Sequence, residues 1–139
     1  MQRNEIVRIL VDTNILISAI FFPNSKVAKT LLYVANFHSM VLCDQNIREL
    51  REVIQRKRPE KLADIEVFLA ELSFELIPAV YFVEKLIRDA KDQPILNAAI
   101  VSGVDLILTG DKDFLSLNIE QPRCLSVSQF LSEYSISIE

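Results

Sequence analysis

Apolar runs alternate along this chain with segments of helical periodicity, and this alternation constrains the fold more than any other feature. Strands separated by helices imply right-handed crossovers and a mostly parallel sheet. We therefore predict an α/β fold, with a central sheet of about four or five strands and helices on both faces. Strands are predicted over residues 6–11, 39–43, 74–77, 105–108 and 123–127.

The predicted helices begin and end at recognisable residues. Ser25 and Asp44 are expected to cap the helices that follow them, because both side chains accept hydrogen bonds from a first helical turn. Gly103 is expected to end a helix in the left-handed conformation. The helices are predicted over residues 25–36, 44–57, 60–72, 81–88, 94–102 and 128–134.

Length and composition favour one domain, spanning residues 1–139. Half of the residues are hydrophobic and the mean hydropathy is +0.26, which excludes a disordered chain. The net charge is −4, so any nucleic-acid contact must be local. Two cysteines and one histidine argue against a thiolate zinc site and suggest a cytoplasmic protein. The apolar stretch 9–22 is interrupted and too short for a membrane span.

Two predicted strands lead to a carboxylate at the same edge of the sheet. Asp12 directly follows the first run, and Asp111 follows the run 106–108 after Thr109 and Gly110. Ligands of open α/β sheets bind beyond the carboxyl ends of the strands. Neighbouring carboxylates disfavour joint ionisation, and Mg²⁺ or Mn²⁺, which bind oxygen ligands, would remove that cost. Helix capping is the alternative for each residue, because Asp is a favoured N-cap.

Three further acids lie near these positions in the predicted fold. Asp92 precedes Pro94, where a helix is expected to start, so it is either an N-cap or a metal ligand. Asp113 lies close enough to Asp111 to help hold a metal or a metal-bound water. Asp89 is interpreted either as a solvated acid or as an acid that lies next to the metal ligands without binding the metal.

A glutamate on the predicted helix 44–57 completes the set. Glu49 lies at the margin of the buried stripe, from which it can reach a crevice, whereas Glu52 lies on the polar face. An ordinary surface glutamate is the alternative. Asn14 and Thr109 could orient the carboxylates, or they could satisfy backbone groups in turns.

These residues carry a resemblance to the PIN domain family, over about residues 6–131. The opening run from Val11 to Ala19 (VDTNILISA), the helical Ile47-Arg48-Glu49-Leu50, and two later acidic motifs occur in the family's order. The later motifs are Arg88-Asp89-Ala90-Lys91-Asp92 and Leu108-Thr109-Gly110-Asp111-Lys112-Asp113-Phe114-Leu115. The chain is most similar to the PIN-family toxins of prokaryotic toxin–antitoxin pairs. Asp44 and Pro94 depart mildly from the family pattern.

The resemblance implies a metal-dependent endoribonuclease that acts on single-stranded RNA. Carried over by position, Asp12, Glu49, Asp92 and Asp111 would be catalytic and metal-binding acids. Asp113 and Asp89 would be auxiliary acids, and Asn14 and Thr109 would give polar support. Hydrolysis by metal-activated water would leave a 5′-phosphate and a 3′-hydroxyl. The resemblance also suggests a small antitoxin partner, and the high apolar fraction suggests a homodimer.

RNA must be attracted despite the negative net charge. A locally basic stretch around the helix that bears Glu49 could hold backbone phosphates, although an ordinary solvated helix face is the alternative. The loop at Phe21 and Phe22 could stack bases, or it could belong to the core or to a dimer contact. The basic residues are Arg48, Arg51, Arg56, Lys57 and Arg58.

Two other functions remain open at this stage. A non-catalytic PIN-like module would bind RNA or protein without turnover. A phosphate-handling α/β domain would need a phosphorylatable Asp and a lysine from a later strand, and the available lysine, Lys112, lies between two acids.

Overall fold

The computed structural model describes residues 5–81, 87 and 91–138. Within them, five strands form one parallel sheet in the order β3-β2-β1-β4-β5. This confirms the predicted α/β class and the predicted sheet. The strands are β1 (Arg8–Val11), β2 (Ser39–Cys43), β3 (Glu75–Ile77), β4 (Leu106–Leu108) and β5 (Arg123–Leu125).

Helices cover both faces of the sheet, as the near-continuous apolar strands require. Along β1, Ile9 and Val11 pack into one buried cluster and Leu10 into the other. All three side chains are fully buried. The helices are α1 (Thr13–Phe21), α2 (Lys26–Phe37), α3 (Asp44–Lys57), α4 (Leu62–Glu71), α5 (Gln93–Ser102), α6 (Lys112–Leu115) and α7 (Val127–Glu133), with a 3₁₀ turn at Pro59–Lys61.

The two faces carry different sets of helices. The larger core lies under α1, α2, α3, α4 and α7, and it includes Leu16, Leu31, Leu50 and Phe130. The smaller core lies under α5 and α6, and it includes Leu96 and Phe114. The two faces together make the sheet a rigid support for whatever its carboxyl edge carries.

Two of the expected helix ends are confirmed and one is wrong. Ser25 caps α2 by accepting a hydrogen bond from the Ala28 amide at 3.2 Å, and Gly103 ends α5 with φ of +68°. Asp44 does not cap α3, because Cys43 holds the N-cap position and Asp44 is the first helical residue. Its carboxylate instead accepts a hydrogen bond from the Ala79 amide at 3.0 Å.

Other boundaries differ from the sequence predictions. Helix α1 was not predicted, because its residues continue the apolar character of β1. The predicted helix 60–72 is divided into the 3₁₀ turn and α4. Of the predicted helix 81–88, residues 82–86 and 88 lie outside the described residues, and Tyr81 is not helical.

The register of the central strands aligns their carboxyl ends. Val11 of β1 is opposite Leu108 of β4, and the Asp12 amide donates a 3.0 Å hydrogen bond to the Leu108 carbonyl. The residues that follow β1 and β4 therefore leave the sheet side by side. Among the described residues, no single helix is long and apolar enough to cross a membrane, and α1 with α2 qualifies only as a pair bent by 117°.

Candidate active site

Asp12 is a buried carboxylate at the junction of β1 and α1. Its side chain is held from two sides, because Oδ1 accepts a hydrogen bond from the Thr13 amide at 2.8 Å and Oδ2 accepts one from the Thr109 hydroxyl at 2.7 Å. The residue is 5% exposed. Asp12 is the N-cap of α1, as the capping alternative predicted. Capping does not exclude a second role for this carboxylate.

The electrostatic surroundings of Asp12 favour a proton on its carboxyl. Burial raises its pKa above the ordinary value, and the neighbouring charge of Asp111 raises it further. The hydrogen bonds from Thr109 and Thr13 act in the opposite direction, because they stabilise the anion. The net effect is a raised pKa. The ionised form of Asp12 is therefore costly unless a cation lies nearby.

The turn after β4 supplies the second acid. Asp111 is the N-cap of the short helix α6, and its Oδ1 accepts a hydrogen bond from the Asp113 amide at 2.8 Å. The Asp111 amide donates to the Thr109 hydroxyl at 3.0 Å. Since the same hydroxyl donates to Asp12, Thr109 joins the two acids through one oxygen. Thr109 therefore makes both contacts that the sequence left open, one to a carboxylate and one to a backbone group.

Asn14 connects the same two turns. Its Oδ1 accepts a hydrogen bond from the Gly110 amide at 3.2 Å. The side chain thus ties the start of α1 to the turn that presents Asp111. Its role here is to satisfy a backbone group and, at the same time, to fix one acidic turn against the other.

Asp92 stands at the N-cap position of α5 but does not cap it. Its backbone is helical, with φ of −86° and ψ of −16°, and its side chain makes no capping hydrogen bond. Asp92 is 9% exposed. Its Oδ2 is buried and accepts no hydrogen bond from the described residues, although the residue has other interactions. Of the two alternatives for Asp92, capping is therefore wrong in this structure.

Buried amides hold the start of α5 in place. Gln93 donates from Nε2 to Oδ1 of Asn97 at 2.8 Å and accepts from the Ile87 amide at 3.0 Å. The amide of Asn97 donates to the Val80 carbonyl at 2.9 Å. Gln45 of α3 donates to the Lys91 carbonyl at 2.6 Å. The segment that carries Asp92 is therefore fixed against both α5 and α3.

Three acids from these two segments come together. One carboxylate oxygen from each of Asp92, Asp111 and Asp113 lies within 4.8 Å of the others. Asp111 and Asp113 belong to the N-cap and the first turn of α6, and Asp92 stands at the start of α5. The fold brings these three predicted residues together. Asp89 lies outside the described residues.

Glu49 approaches the site from α3. Its Oε1 accepts a long hydrogen bond of 3.4 Å from the Thr13 hydroxyl. Burial raises the pKa of Glu49, and the charges of Asp12 and Glu52 raise it further, while Thr13 and Lys91 lower it. Glu49 is half-buried and Glu52 is exposed, as expected from their places on the helix. Asp12 and Glu49 therefore share one electrostatic environment.

Sequence reasoning missed Asn46, which orders this part of the site. Asn46 is fully buried. It accepts a hydrogen bond from the Cys43 amide at 3.1 Å and donates to the Thr13 hydroxyl at 2.9 Å. Thr13 then donates to Glu49. The available signal was the position of Asn46 three residues after Cys43, which suits a capping box.

The predicted basic stretch is exposed but partly neutralised. Arg51 pairs with Glu66 at 2.8 Å, and Arg58 pairs with Glu60 at 2.6 Å. Arg48, Arg56 and Lys57 are exposed on or at the end of α3. Two of the five predicted RNA-binding residues therefore face acidic partners, which reduces the charge they offer to phosphate.

The donor set suits a hard divalent cation. Carboxylate oxygens from Asp92, Asp111 and Asp113 lie within 4.8 Å of one another. Such a group is repulsive alone and attractive to an ion that binds oxygen ligands. The raised pKa values of Asp12 and Glu49 show that negative charge is also costly beside this cluster, a cost that a bound cation would reduce.

Comparison with known proteins assigns the family. The family model described as "PIN domain" matches residues 8–113. This stretch contains Asp12, Glu49, Asp92, Asp111 and Asp113. The chain belongs to the PIN domain family, as the sequence motifs indicated.

Solved structures show the same fold. One similar chain comes from the crystal structure of VapBC2 from Rickettsia felis, which is bound to a DNA fragment from its promoter. The TM-score is 0.68 at 17% sequence identity, over 86% of this chain and 98% of that chain. At this identity the likeness supports the architecture. No curated protein matches the sequence.

Proposed function

We propose that this PIN-domain protein is a divalent-metal-dependent endoribonuclease that hydrolyses single-stranded RNA and is the toxin of a toxin–antitoxin pair. One observation carries the proposal: oxygen atoms of Asp92, Asp111 and Asp113, which come from two separate segments, lie within 4.8 Å of one another. The Thr109 hydroxyl links Asp12 to the Asp111 amide, and Glu49 contacts the hydroxyl of Thr13, the residue after Asp12. Family membership supports nuclease chemistry for such a group of acids.

The residues proposed to hold Mg²⁺ or Mn²⁺ are Asp12, Glu49, Asp92 and Asp111, with Asp113 assisting. When bound, the cation would supply positive charge for the phosphodiester and would lower the pKa of a bound water. Thr109 orients Asp12 and Asp111 by one bridging hydroxyl. Asp89 is proposed as an auxiliary acid, from its place in the motif alone.

The chain itself fixes the geometry that such a reaction needs. Thr13 and Asn46 hold Glu49 toward Asp12, and Asn14 holds the turn of Gly110. Catalysis of phosphoryl transfer rests chiefly on positioning and on electrostatic stabilisation. Attack of water on phosphorus requires no side-chain nucleophile and leaves a 5′-phosphate and a 3′-hydroxyl.

The proposed RNA contacts lie on α3, next to Glu49. Arg48, Arg56 and Lys57 are exposed, and none of them forms an ion pair with another described residue, so they can reach backbone phosphates directly. Arg51 and Arg58 would first have to leave Glu66 and Glu60. We expect the exposed residues Arg48, Arg56 and Lys57 to contribute more than Arg51 and Arg58.

Partners and location are also part of the proposal. The architecture shared with a chain of VapBC2 supports a small antitoxin as partner. Exposed large apolar side chains on α2, Leu32 and Phe37, support a protein contact such as a homodimer. Light scattering after gel filtration tests the homodimer, and a monomer at micromolar concentration would contradict it. Two free thiols, Cys43 and Cys124, agree with a cytoplasmic location.

The test of the nuclease is hydrolysis of unstructured RNA in Mg²⁺ or Mn²⁺, with and without chelator. Asp12→Asn and Asp111→Asn should each lower the rate by at least about 100-fold, since each removes a charge proposed to hold the ion. Asp64→Asn is the matched control, because Asp64 is exposed in the first turn of α4.

Cleavage that survives both chelation and Asp12→Asn would refute the metal-dependent reaction. RNA or protein binding with no turnover in either metal would favour the non-catalytic PIN-like module. Comparing the cleavage rates of Glu49→Gln and Glu52→Gln separates a site residue from its exposed neighbour on the same helix. Only Glu49→Gln should lower the rate.

A further inference from the structure

A hollow lies on the β5 side of the sheet edge, next to the turns that carry Asp12 and Asp111. Its volume is about 410 Å³, which falls within the range of ~300–1,000 Å³ typical of ligand pockets. It lies between the start of α1, the turn after β4 and the start of α7. Asn14 and Thr109 line this hollow and also hold the acidic turns, so the hollow lies next to the acidic site.

The lining of the hollow is neutral. Hydroxyl and amide groups come from Asn14, Ser18, Thr109, Ser126 and Ser128, and three aliphatic side chains complete the wall. Among the described residues that line the hollow, none is charged. Such a surface suits an uncharged group that is polar at its edges and apolar on its face, such as a nucleoside, and it offers no cation to a phosphate.

Some of these polar groups already form hydrogen bonds within the protein, and others can still form hydrogen bonds to a ligand in the hollow. The Ser126 hydroxyl accepts from the Gln129 amide at 3.1 Å as the cap of α7. Asn14 uses its Oδ1 for the Gly110 amide, which leaves the Nδ2 group as a donor beside Gly110. Ser18 and Ser128 add hydroxyls that can donate or accept.

Gly110 leaves the backbone without a side chain in the lining of the hollow. A Cβ atom at this position would meet nothing nearer than Oδ1 of Asn14 at 3.8 Å, which is an ordinary contact. Gly103, and not Gly110, is the glycine with positive φ. The fold therefore does not require glycine at 110. A bare backbone in the lining of a hollow permits close approach of a ligand.

We propose that this hollow binds the nucleoside of the nucleotide next to the scissile phosphate. The inference rests on the proposed nuclease function. It adds a binding site for the nucleoside beside the bond that the enzyme cleaves. The phosphate lies against the acids and their cation, while the ribose and base enter the neutral hollow. Ser18, Ser128 and the Asn14 amide then contact the nucleoside edges.

The chain offers a direct probe, because it contains two glycines. Protein labelled with ¹⁵N-glycine gives one amide signal from Gly110, in the hollow, and one from Gly103, beyond the opposite edge of the sheet after α5. The probes are the four ribonucleoside 5′-monophosphates, which have no internucleotide bond to cleave. They are titrated at constant Mg²⁺, with inorganic phosphate as the parallel titrant.

The expected result is a saturable shift of the Gly110 signal with at least one mononucleotide. The Gly103 signal stays in place, and inorganic phosphate produces a clearly smaller change at Gly110. An unmoved Gly110 signal with all four nucleotides would overturn the proposal. An equal shift with inorganic phosphate would also overturn it, because the site would then bind the anion and not the nucleoside.

Matched variants on α7 supply the second measurement. Ser128→Trp fills the hollow from an exposed position, whereas Ser132→Trp places the same side chain one turn further along, outside the hollow. Ser128→Trp should weaken mononucleotide binding by about tenfold or more, and Ser132→Trp should leave it unchanged. Equal effects of the two variants, at equal thermal stability, would contradict the proposal.

The outcomes separate this inference from the nuclease itself. Mononucleotide binding in the hollow without any RNA cleavage would keep the nucleoside site and reject the nuclease. RNA cleavage with an unchanged KM in Ser128→Trp would keep the nuclease and reject the nucleoside site.

Discussion

At the residue scale, Asp12 combines a structural role with an electrostatic cost. Its carboxylate caps α1 and receives the Thr109 hydroxyl, yet burial and Asp111 raise its pKa. Hydrogen bonding offsets part of the cost of burying the charge but does not remove it. A side chain chosen for capping alone would not need to be charged, since serine or asparagine caps equally well.

The raised pKa values predict how stability changes with pH. Because Asp12 and Glu49 hold their protons more tightly in the folded protein, their contribution to stability is fully present below the unfolded pKa values, and it is lost as the pH rises through the folded ones. In chelator, Asp12→Asn should therefore gain stability relative to the natural protein as the pH rises from about 4 to 7. Urea unfolding at several pH values measures this difference.

Saturating Mg²⁺ provides the control for that measurement. Cation binding favours the ionised acids. With free Mg²⁺ at about a hundred times its Kd, the natural protein should therefore be stabilised at neutral pH by about 2.7 kcal/mol. The Asp12→Asn variant should be stabilised much less. A constant difference between the two proteins across the pH range in chelator would contradict the assigned cause.

Asn46 illustrates a residue whose importance is visible only in three dimensions. Truncation in Asn46→Ala leaves the Thr13 hydroxyl and the Cys43 amide without their partner in a buried place. We expect a loss of about 1–3 kcal/mol in the free energy of unfolding, measured by denaturant unfolding. Gln55→Ala, exposed on the same helix, is the control and should change stability little.

At the element scale, replacing each of the two glycines by alanine should affect stability differently. Gly103 adopts φ of +68° at the end of α5, so Gly103→Ala should cost about 1 kcal/mol by forcing a side chain into the left-handed region. Gly110→Ala should leave thermal stability nearly unchanged, because a Cβ there makes only ordinary contacts. Calorimetry of both variants measures the pair, and equal melting temperatures would contradict the assignment.

Elements with a clear period or cap were predictable from sequence. Helix α3 occupies the predicted residues, and Gly103 ends α5 as expected. Helix α1 was missed because β1 and α1 form one apolar stretch, interrupted at Asp12, in which buried strand and buried helix have the same composition. Asp44 was misassigned because an acid in the first turn resembles a cap, while its carboxylate contacts Ala79.

At the scale of the whole molecule, topology assembles the acids. Asp12, Glu49, Asp92 and Asp111 come from segments that are distant in sequence, and parallel β1 and β4 deliver two of them to one edge. Sequence could predict that convergence from the strand ends. It could not predict that oxygens of Asp92, Asp111 and Asp113 lie within 4.8 Å of one another, nor that Asn46 connects to Glu49 through Thr13, because those contacts depend on side-chain packing.

The central claim is that acids from separate segments jointly bind one kind of divalent cation at the carboxyl edge of the sheet. Anomalous diffraction from a crystal soaked in Mn²⁺ tests it most directly. The account predicts an anomalous peak coordinated by oxygens of Asp92 and Asp111, which vanishes in Asp111→Asn. A crevice without a peak at saturating Mn²⁺, or a peak bound only by other residues, would contradict it.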